Sequence, residues 1–421
     1  MLQPQLATLR DVCAEPYGLW LDSAMLHPHF GRQSFWAADP MTVLRSWGGQ
    51  VHVERRRGPS ERFQGDPFEV LRSLLAEHAR YSAGAAAGYL GYGLKRHIER
   101  LSDTVADDLG LPECHLAFYE RLHPFDPRPL APRAPAPGLP LQFAGLRSGF
   151  SRSSYESAVG RALEYIRAGD IYQVNLSQRF EAPCPEDPFD VYLRLRAQSP
   201  APFAAFLRYR DSAVLSSSPE RFLSYRPADR LVETRPIKGT RPRGARPQDD
   251  RSLAADLLAS EKDRAENVMI VDLERNDLGR VAETGSVRVT GLFELETYAT
   301  VHHLTSTVQA RLGADRDLVD LLRATFPGGS ITGAPKIRAM EIIDELEPVA
   351  RGVYSGSIGY VTFGGEMDVN IAIRTMVVKP GTAYFHVGGG IVADSDPAQE
   401  FEETLHKGAA MARVLVGEGR S

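Results

Sequence analysis

The stretch TAYFHVGGGIVADSDPAQEFEETLHK, residues 382–407, places a strand, a glycine run and a helix in immediate succession. Its apolar and aromatic residues predict a strand over Thr382–Val387. Pro397 at the first helical position, with Asp396 before it as N-cap, predicts a helix over Pro397–Val416. The glycines at 388–390 allow a backbone to approach a ligand closely. The stretch therefore combines sheet, helix and a candidate binding segment.

Further helices and strands are mixed along the rest of the chain. Apolar residues at helical spacing follow a capping-box pattern of Ser153 and Glu156, and this helix ends at Gly169. The other predicted helices cover Leu253–Asn276 and Lys336–Leu346. The other predicted strands cover Ala213–Ser217, Gly356–Phe363 and Val369–Val378. Helices mixed with adjacent strand pairs predict the α+β class with substantial antiparallel sheet.

The composition is ordinary for a globular protein of 421 residues, with 43% hydrophobic and 24% charged residues. A net charge of −5 with interleaved signs argues against a nucleic-acid-binding face. Cys13, Cys114 and Cys184 have neither metal-ligand nor redox spacing, so idle thiols in a reducing compartment are expected. The first residues lack a signal-peptide pattern, and no apolar run could span a bilayer. We therefore expect a cytoplasmic protein.

Proline marks one division of the chain. Residues 123–140 read HPFDPRPLAPRAPAPGLP, and so many prolines prevent both helix and ladder formation. This segment is interpreted as an extended linker. It would separate an N-terminal region, residues 1–122, from a larger C-terminal domain, residues 141–421.

Two acidic pairs are candidate metal ligands. Asp263 and Glu266 are spaced i,i+3, as are Glu400 and Glu403, so each pair shares one face of a predicted helix. Two such faces that meet would suit Mg²⁺, which takes one or two carboxylates together with waters and an anionic ligand. Two ordinary solvated helix faces would show the same spacing.

Basic residues and glycines give further candidates. Lys238 lies between Ile237 and Gly239, where partial withdrawal from water would make it a nucleophile, although the basic residues around it favour a surface lysine. Arg374 has apolar neighbours on both sides and would need an anion, either a substrate carboxylate or a structural partner. FPGGSITGAPK, residues 326–336, places a glycine turn before a helix, which is a natural seat for an anion.

Taken together, these segments resemble the chorismate-utilising enzymes, a family that includes anthranilate, aminodeoxychorismate, isochorismate and salicylate synthases. The N-terminal third resembles the anthranilate synthase component I type through WLDSA and GYLGY. The resemblance implies a large composite chorismate-binding domain in which antiparallel sheets form a sandwich flanked by helices. The matching stretches keep one order from about residue 150 to 410, and they are IYQVNLSQRF, SSSPERF, TRPIKGT, SEKDRAENVMIVDLERNDLGRV, HHLTSTV, FPGGSITGAPK, GSIGYV, NIAIRTM and GGGIVADSDPAQEFEETLHK.

The resemblance also implies the members of a site. Mg²⁺ would bind at Glu266 and Glu403, with Asp263 and Glu400 as close second ligands or water holders. Glu220, in SPERF, matches the family's general acid for departure of the leaving group. The residues implied around the ring and carboxylates of chorismate are Thr240, His303, Ser330, Tyr360, Arg374, Gly388, Gly389, Gly390 and Lys407. A possible tryptophan pocket would contain Asp22, Ser23, Pro202 and Phe203.

Two positions separate the branches of this family. Isochorismate-type enzymes have a lysine where this chain has Gln173, so hydroxylation at C2 is disfavoured. Anthranilate synthases have alanine where this chain has Lys238, whereas the PIKGT form resembles aminodeoxychorismate synthases. There the lysine attacks C2 of chorismate as the C4 hydroxyl leaves, and ammonia then attacks C4 and expels the lysine. The resemblance thus implies Mg²⁺-dependent synthesis of 4-amino-4-deoxychorismate, on the route to p-aminobenzoate and folate.

Ammonia is expected to come from a partner. The cysteines lie in VCA, ECH and PCP, without the flanking glycine of an amidotransferase nucleophile, so a separate glutamine amidotransferase subunit is expected. Anthranilate synthase component I remains an alternative, because Lys238 and its immediate context alone argue against it. A catalytically silent, tryptophan-binding regulatory subunit is a second alternative, but such a chain should have lost the acidic or lysine residues.

Overall fold

The structure is a computed structural model that describes residues 2–25, 33–102, 104–126, 143, 145–244, 246–298 and 301–416. The described helices are α1 (Leu2–Ala14), α2 (Pro67–His78), α3 (Arg152–Ala168), α4 (Pro188–Gln198), α5 (Pro247–Ala259), α6 (Glu261–Gly279), α7 (Leu318–Thr325), α8 (Lys336–Leu346) and α9 (Pro397–Val416). Short 3₁₀ helices cover Tyr92–His97 and Gly329–Ile331.

The strands of the N-terminal third are β1 (Leu19–Asp22), β2 (Ser34–Ala37), β3 (Thr42–Trp47), β4 (Gln50–Arg55), β5 (Glu61–Gln64), β6 (Ala85–Leu90), β7 (Cys114–Tyr119) and β8 (His123–Phe125). The remaining strands are β9 (Arg147–Ser148), β10 (Gln173–Cys184), β11 (Phe203–Arg208), β12 (Ala213–Ser218), β13 (Arg221–Arg226), β14 (Leu231–Arg235), β15 (Ile237–Pro242), β16 (Arg288–Thr297), β17 (Val301–Arg311), β18 (Gly333–Ala334), β19 (Ser357–Thr362), β20 (Met367–Asn370), β21 (Thr375–Lys379) and β22 (Gly381–Ile391).

These strands form two antiparallel sheets. The first sheet has the order β18-β10-β22-β21-β12-β11-β1-β2-β8, with β9 also paired to β10. The second has the order β15-β17-β14-β13-β20-β19-β6-β7-β3-β4-β5, with β16 also paired to β17. The predicted α+β class with antiparallel sheets is confirmed.

The two sheets pack face to face, and helices cover their outer faces. Side chains such as Ala87 and Ala117 from the second sheet meet Ala205 and Leu207 from the first. Helices α2, α6 and α7 pack on the outer face of the second sheet. Helices α1, α4 and α9 pack on the outer face of the first sheet. This arrangement is the sandwich flanked by helices that the resemblance implies.

Strand β7 illustrates the sequence of a strand that is covered by helices on one face and by the other sheet on the opposite face. All six of its residues are buried. Cys114, Leu116 and Phe118 face the helices, while Ala117 and Tyr119 face the other sheet. Successive side chains in a strand point to opposite faces. Because both faces of β7 are covered, the apolar and polar alternation of a half-exposed strand is absent.

Strands from both ends of the chain share each sheet. In the first sheet β1 pairs with β11, and in the second β6 pairs with β19. His123–Phe125, the start of the predicted linker, instead forms β8 and pairs with β2. Residues 127–142 lie outside the described residues. The division at residues 123–140 therefore stays a prediction.

Several predicted elements differ from the observed ones. The single helix predicted over Leu253–Asn276 is two helices, α5 and α6, because Ser260 takes an extended conformation and caps α6. Helix α3 is capped by Ser151 with Ser154, not by Ser153 with Glu156. The strand predicted over Val369–Val378 is interrupted at Arg374, where φ is +49°.

The glycines at 388–390 lie within β22, which is longer than the predicted strand over Thr382–Val387. The prediction for Lys336–Leu346 matches α8, and that for Pro397–Val416 matches α9. In the part of the chain that the structure describes, no helix is both long enough and apolar enough to cross a membrane.

Candidate active site

A cavity of about 640 Å³ opens between the edges of the two sheets and the helices α6 and α9. It collects nearly all of the site residues that the sequence suggests, although they are widely separated in the chain. Those that line it are Glu220, Lys238, Thr240, Asp263, Glu266, His303, Ser330, Arg374, Gly388, Gly390, Glu400, Glu403 and Lys407. Gly389 lies between two of these lining residues in β22.

Tyr360 lies elsewhere, which corrects its expected position beside the substrate. It lines a second cavity of about 210 Å³, because its strand β19 points it toward β1 and β11. The four residues of the possible tryptophan pocket line that same second cavity. Asp22 there is fully buried and accepts hydrogen bonds from Arg196 Nε at 2.5 Å and from the Tyr192 hydroxyl at 2.9 Å.

Lys238 extends from β15 into the main cavity. Its Nζ donates to Glu266 Oε1 at 2.8 Å and to the Ser330 carbonyl at 3.3 Å, and its side chain is 11% exposed. The next residue, Gly239, has φ +85°, and a Cβ there would lie 2.8 Å from Leu257 Cδ1. A glycine is therefore required directly after the lysine. This confirms the partial withdrawal of Lys238 from water that its sequence context suggests.

Glu266 faces Lys238 from α6. Its Oε1 also accepts a hydrogen bond from Gln173 Nε2 at 2.8 Å. Burial opposes ionisation of Glu266, but the adjacent Lys238, together with Lys407 and the hydrogen bond from Gln173, outweighs burial and lowers the pKa of the carboxyl. A carboxylate at this position is available to a cation or to the lysine.

Glu220 is a buried acid next to Lys238. It is 5% exposed, and the backbone N–H of Ile237 donates to its Oε1 at 3.4 Å. Burial raises the pKa of Glu220, and the charges of Lys238 and Arg374 only partly offset this effect. A carboxyl group that keeps its proton to higher pH can act as a proton donor.

Arg374 is the cationic side of the cavity. Between β20 and β21 the chain crosses from the second sheet to the first, and Arg374, with its positive φ, lies in this crossing at the cavity wall. Burial lowers the pKa of Arg374, and among the described residues Glu220 alone is a nearby opposing charge. No described carboxylate forms an ion pair with this guanidinium. An arginine in this situation suits an anionic ligand.

His303 is held neutral in the cavity. Burial lowers its pKa to about 3. Its Nδ1 lies 2.9 Å from Thr240 Oγ1, across the pairing of β15 and β17. The imidazole can therefore exchange hydrogen bonds but carries no charge near neutral pH.

The four predicted metal ligands, Asp263, Glu266, Glu400 and Glu403, form an acidic wall of the cavity. Its part on α9 packs against β22. Glu400 Oε1 accepts a hydrogen bond from Ser395 Oγ at 2.6 Å, while the buried Oε2 has no partner among the described residues. A Cβ on Gly389 would lie 2.9 Å from Glu400 Oε2 and 3.7 Å from Glu403 Oε1. The glycine thus makes room for two carboxylates to approach the same point.

The carboxyl groups of the acidic wall differ in their charged partners and in the direction of their pKa shifts. Lys407 Nζ lies 2.7 Å from Glu403 Oε1 and lowers the pKa of that carboxyl, whereas burial raises the pKa of Glu400. Asp263 is paired with Arg241 at 3.0 Å. Within the described ranges, no three acidic, histidine or cysteine side chains converge as a closed metal cage. The four predicted ligands therefore form an open wall in which one buried oxygen, Glu400 Oε2, has no partner among the described residues.

Several lining residues were not among the site residues predicted from the sequence. Asn175, Tyr354 and His386 are three of them. The rings of Tyr354 and His386 stack at a centroid distance of 5.2 Å and an angle of 11°. Tyr354 lies six residues before Tyr360 in RGVYSGSIGY, just outside the stretch GSIGYV on which the resemblance rests.

The chain is similar to proteins of known function over most of its length. Aminodeoxychorismate synthase component 1 of Salmonella typhimurium is 43% identical over 93% of this chain and 91% of its own length. Anthranilate synthase component 1 of Streptomyces coelicolor is 43% identical over 86% of this chain and 80% of its own length. The crystal structure of anthranilate synthase component I from Streptococcus pneumoniae TIGR4 aligns with a TM-score of 0.77 and 33% identity, covering 92% of this chain and 94% of that chain.

The family model described as chorismate binding enzyme matches residues 21–413. This range includes every lining residue of the main cavity and strands from both ends of each sheet. The chain therefore belongs to the family of chorismate binding enzymes.

Proposed function

We propose that this chain is the synthase component that converts chorismate and ammonia into 4-amino-4-deoxychorismate, a precursor of p-aminobenzoate and folate. The observation that carries the proposal is Lys238, whose Nζ lies inside the cavity at 2.8 Å from Glu266. A nucleophilic lysine is the feature expected of C4 amination. The likeness to aminodeoxychorismate synthase component 1 supports the same assignment.

Overall identity does not separate the two candidate activities. The Salmonella aminodeoxychorismate synthase and the Streptomyces anthranilate synthase are each 43% identical to this chain. The assignment therefore depends on the chemistry at one position. Direct attack of ammonia at C2 needs no protein nucleophile, whereas substitution at C4 through C2 does.

The side chains of the cavity fit such a sequence of steps. The neutral amine of Lys238 attacks C2 of chorismate, the two conjugated ring double bonds shift to C1–C6 and C4–C5, and the C4 hydroxyl departs as water with a proton from Glu220. Ammonia then attacks C4, both double bonds shift back, and the bond between C2 and Lys238 breaks; the new C4 amine loses a proton and the departing lysine amine gains one. One difficult displacement becomes two easier ones. The raised pKa of Glu220 keeps its proton available for the first step.

Magnesium is the cofactor that the acidic wall suits. The unpartnered Glu400 Oε2 and the neighbouring Glu403 Oε1 converge at Gly389, with Glu266 close enough for its charge to affect Glu403. One or two carboxylates completed by waters and an anionic ligand is a common arrangement for Mg²⁺. When bound there, Mg²⁺ would hold a substrate carboxylate and neutralise its charge. We propose Glu266 and Glu403 as ligands, with Glu400 and Asp263 supporting them.

The cationic and neutral residues are proposed to orient the substrate. Arg374 lacks a carboxylate partner among the described residues and would take one carboxylate of chorismate. Lys407, whose Nζ also donates to the Gly388 carbonyl at 3.0 Å, would lie near the other carboxylate of chorismate. His303, Thr240 and Ser330 would form hydrogen bonds to the ring substituents.

Three further assignments complete the proposal. Ammonia is supplied by a separate glutamine amidotransferase. Tryptophan binds in the second cavity, where Asp22, Ser23, Pro202 and Phe203 meet. The protein works in the cytoplasm, because Cys13, Cys114 and Cys184 are buried free thiols, which suit a reducing compartment.

Product identification tests the proposed function. Purified protein is incubated with chorismate, an ammonium salt and Mg²⁺, and the products are separated and identified by mass spectrometry. The expected product is 4-amino-4-deoxychorismate, which retains the enolpyruvyl group. Anthranilate with release of pyruvate would instead assign the chain to the anthranilate synthase branch. Tryptophan binding is measured separately by calorimetry.

A further inference from the structure

His386 is a buried histidine on the wall of the main cavity. It lies on β22, is 6% exposed and lines the cavity. Neither of its ring nitrogens has a hydrogen-bond partner among the described residues. A neutral imidazole has one donor and one acceptor, and leaving both unpaired in a buried site is unfavourable. Because the ring borders the cavity, a ligand in the cavity can supply the missing partner.

Its neighbours connect His386 to the cationic part of the wall. The ring stacks on Tyr354, with centroids 5.2 Å apart. After Tyr354, the N–H of Ser355 donates to the Ala372 carbonyl at 3.0 Å, and the Ala372 N–H donates to the Gly356 carbonyl at 2.9 Å. These bonds place Tyr354 beside the segment that carries Arg374. His386, Tyr354 and Arg374 therefore share one region of the cavity wall.

The charge state of His386 restricts what it can recognise. Burial lowers its pKa well below the ordinary value, and the charges of Arg179 on β10 and Arg351 after α8 lower it further, against Asp108. The ring is therefore neutral near pH 7. Because His386 and Arg374 line the same cavity, the wall offers an uncharged hydrogen-bond partner in addition to a guanidinium.

Chorismate has one group that matches this combination. Of its two carboxylates, the one on the enolpyruvyl side chain has an ether oxygen nearby, whereas the ring carboxylate is flanked by ring carbons. A cation beside a neutral donor therefore fits the enolpyruvyl group. We propose that His386 is a further substrate-binding residue that donates a hydrogen bond to the ether oxygen of the enolpyruvyl group, whose carboxylate Arg374 holds. The inference rests on chorismate as the substrate but not on which ring carbon is aminated.

Binding of chorismate without turnover tests the proposal. In a Lys238→Ala background, which prevents covalent attack, the dissociation constant of chorismate is measured by calorimetry with Mg²⁺ and no ammonia. His386→Phe keeps a ring that can stack on Tyr354 but removes both nitrogens. We expect affinity to fall by roughly 10-fold, the size of one hydrogen bond to a buried partner. His386→Gln, which offers an amide donor, should recover part of this loss.

His115 provides a matched control within the same chain. It is 4% exposed on β7, stacks on Tyr209 at a centroid distance of 3.8 Å, and its Nε2 has no described partner. It does not line the main cavity. His115→Phe should therefore leave the affinity for chorismate unchanged. Thermal unfolding of both variants compares their effects on stability.

Distinct outcomes would overturn the inference. Unchanged affinity in His386→Phe would mean that the ring makes no contact with the substrate. A rise in the KM for ammonia with unchanged chorismate affinity, measured with Lys238 present, would assign His386 to the other substrate. Absence of chorismate binding in the Lys238→Ala parent would contradict both this inference and the proposed function. A wild-type chain that produces anthranilate would contradict the proposed function and leave the His386 result standing.

Discussion

At the scale of single residues, the cavity owes its chemistry to how neighbours differ in charge and burial. Lys238 and Glu220 lie close together but differ in their surroundings. Lys238 donates a hydrogen bond to the Glu266 carboxylate, whereas Glu220 is a buried acid with a raised pKa. Placing a nucleophile beside a protonated acid allows bond formation and leaving-group protonation in one step. Each of the two residues therefore has a separate experimental signature.

Replacement of Lys238 tests the nucleophile. Lys238→Ala removes the covalent route but leaves Glu220, Arg374 and the acidic wall, so we expect C4 amination to slow by ~10²-fold. Direct attack of ammonia at C2 should then give some product aminated at that carbon. Rates and products are measured by chromatography with mass detection. Lys379→Ala, outside the cavity, serves as control, and an unchanged rate and product in Lys238→Ala would contradict the role.

The pH dependence of turnover tests Glu220. Its raised pKa means that the active, protonated form persists above the usual range and is lost as pH rises through that pKa. At saturating chorismate and constant free ammonia, kcat should fall on the alkaline side. Glu220→Gln should be slower by ~10²-fold or more and should lack this decline. A variant that keeps the same alkaline decline would assign the titration to another group.

At the scale of elements, the acidic wall depends on helix α9 packing against the glycines of β22. Asp396 Oδ1 accepts from the N–H of Gln399 at 2.9 Å and begins the helix at a fixed position. From that start, Glu400 and Glu403 fall on the face toward Gly389. The neighbouring Glu402 instead pairs with Arg152 on α3. The helix thus carries both the proposed ligand Glu403 and a control residue, Glu402.

Comparison of Glu403→Gln with Glu402→Gln tests the metal assignment. Removing one charge from a carboxylate ligand should weaken Mg²⁺ binding, by about 10-fold or more if one ligand's charge is lost. Glu402→Gln should bind Mg²⁺ as the wild type does. Calorimetric titration with Mg²⁺ in the presence of chorismate measures this difference. Equal Mg²⁺ affinities in the two variants would remove Glu403 from the ligand set.

The elements also explain how far the sequence predicts the structure. Helices α8 and α9 were predicted with their observed bounds, because Pro397 and the apolar periodicity define them locally. The break at Ser260 and the turn at Arg374 were missed, because periodicity does not report a capping serine within a polar run or a positive φ in an apolar one. Tyr354 and His386 were missed because tertiary packing brings them to the cavity.

At the scale of the whole molecule, the cavity draws its lining from both sheets and from helices far apart in the chain. The sequence motifs named many of the residues that line the cavity, without their geometry. What they could not supply was the distribution of charge, such as the pairing of Lys238 with Glu266 and the unpartnered oxygen of Glu400. These depend on which helix faces meet, and only the fold determines that.

The isolated molecule should use ammonia but not glutamine. Its three cysteines are buried, and burial raises the pKa of each thiol, which disfavours the thiolate needed to attack glutamine. Turnover with ammonium salts and none with glutamine is expected from the purified chain. Release of glutamate from glutamine, measured enzymatically without a partner, would contradict this expectation. Addition of a glutamine amidotransferase should then restore glutamine-dependent synthesis.

The sharing of each sheet between distant parts of the chain bears on how the protein is made. During translation, β6 leaves the ribosome long before Ser357–Thr362, the strand that covers one of its edges. Until then, the nascent N-terminal third carries an incomplete sheet whose free edge can pair with other polypeptides. Chaperone demand and losses to inclusion bodies should therefore depend on how quickly synthesis reaches the last strands.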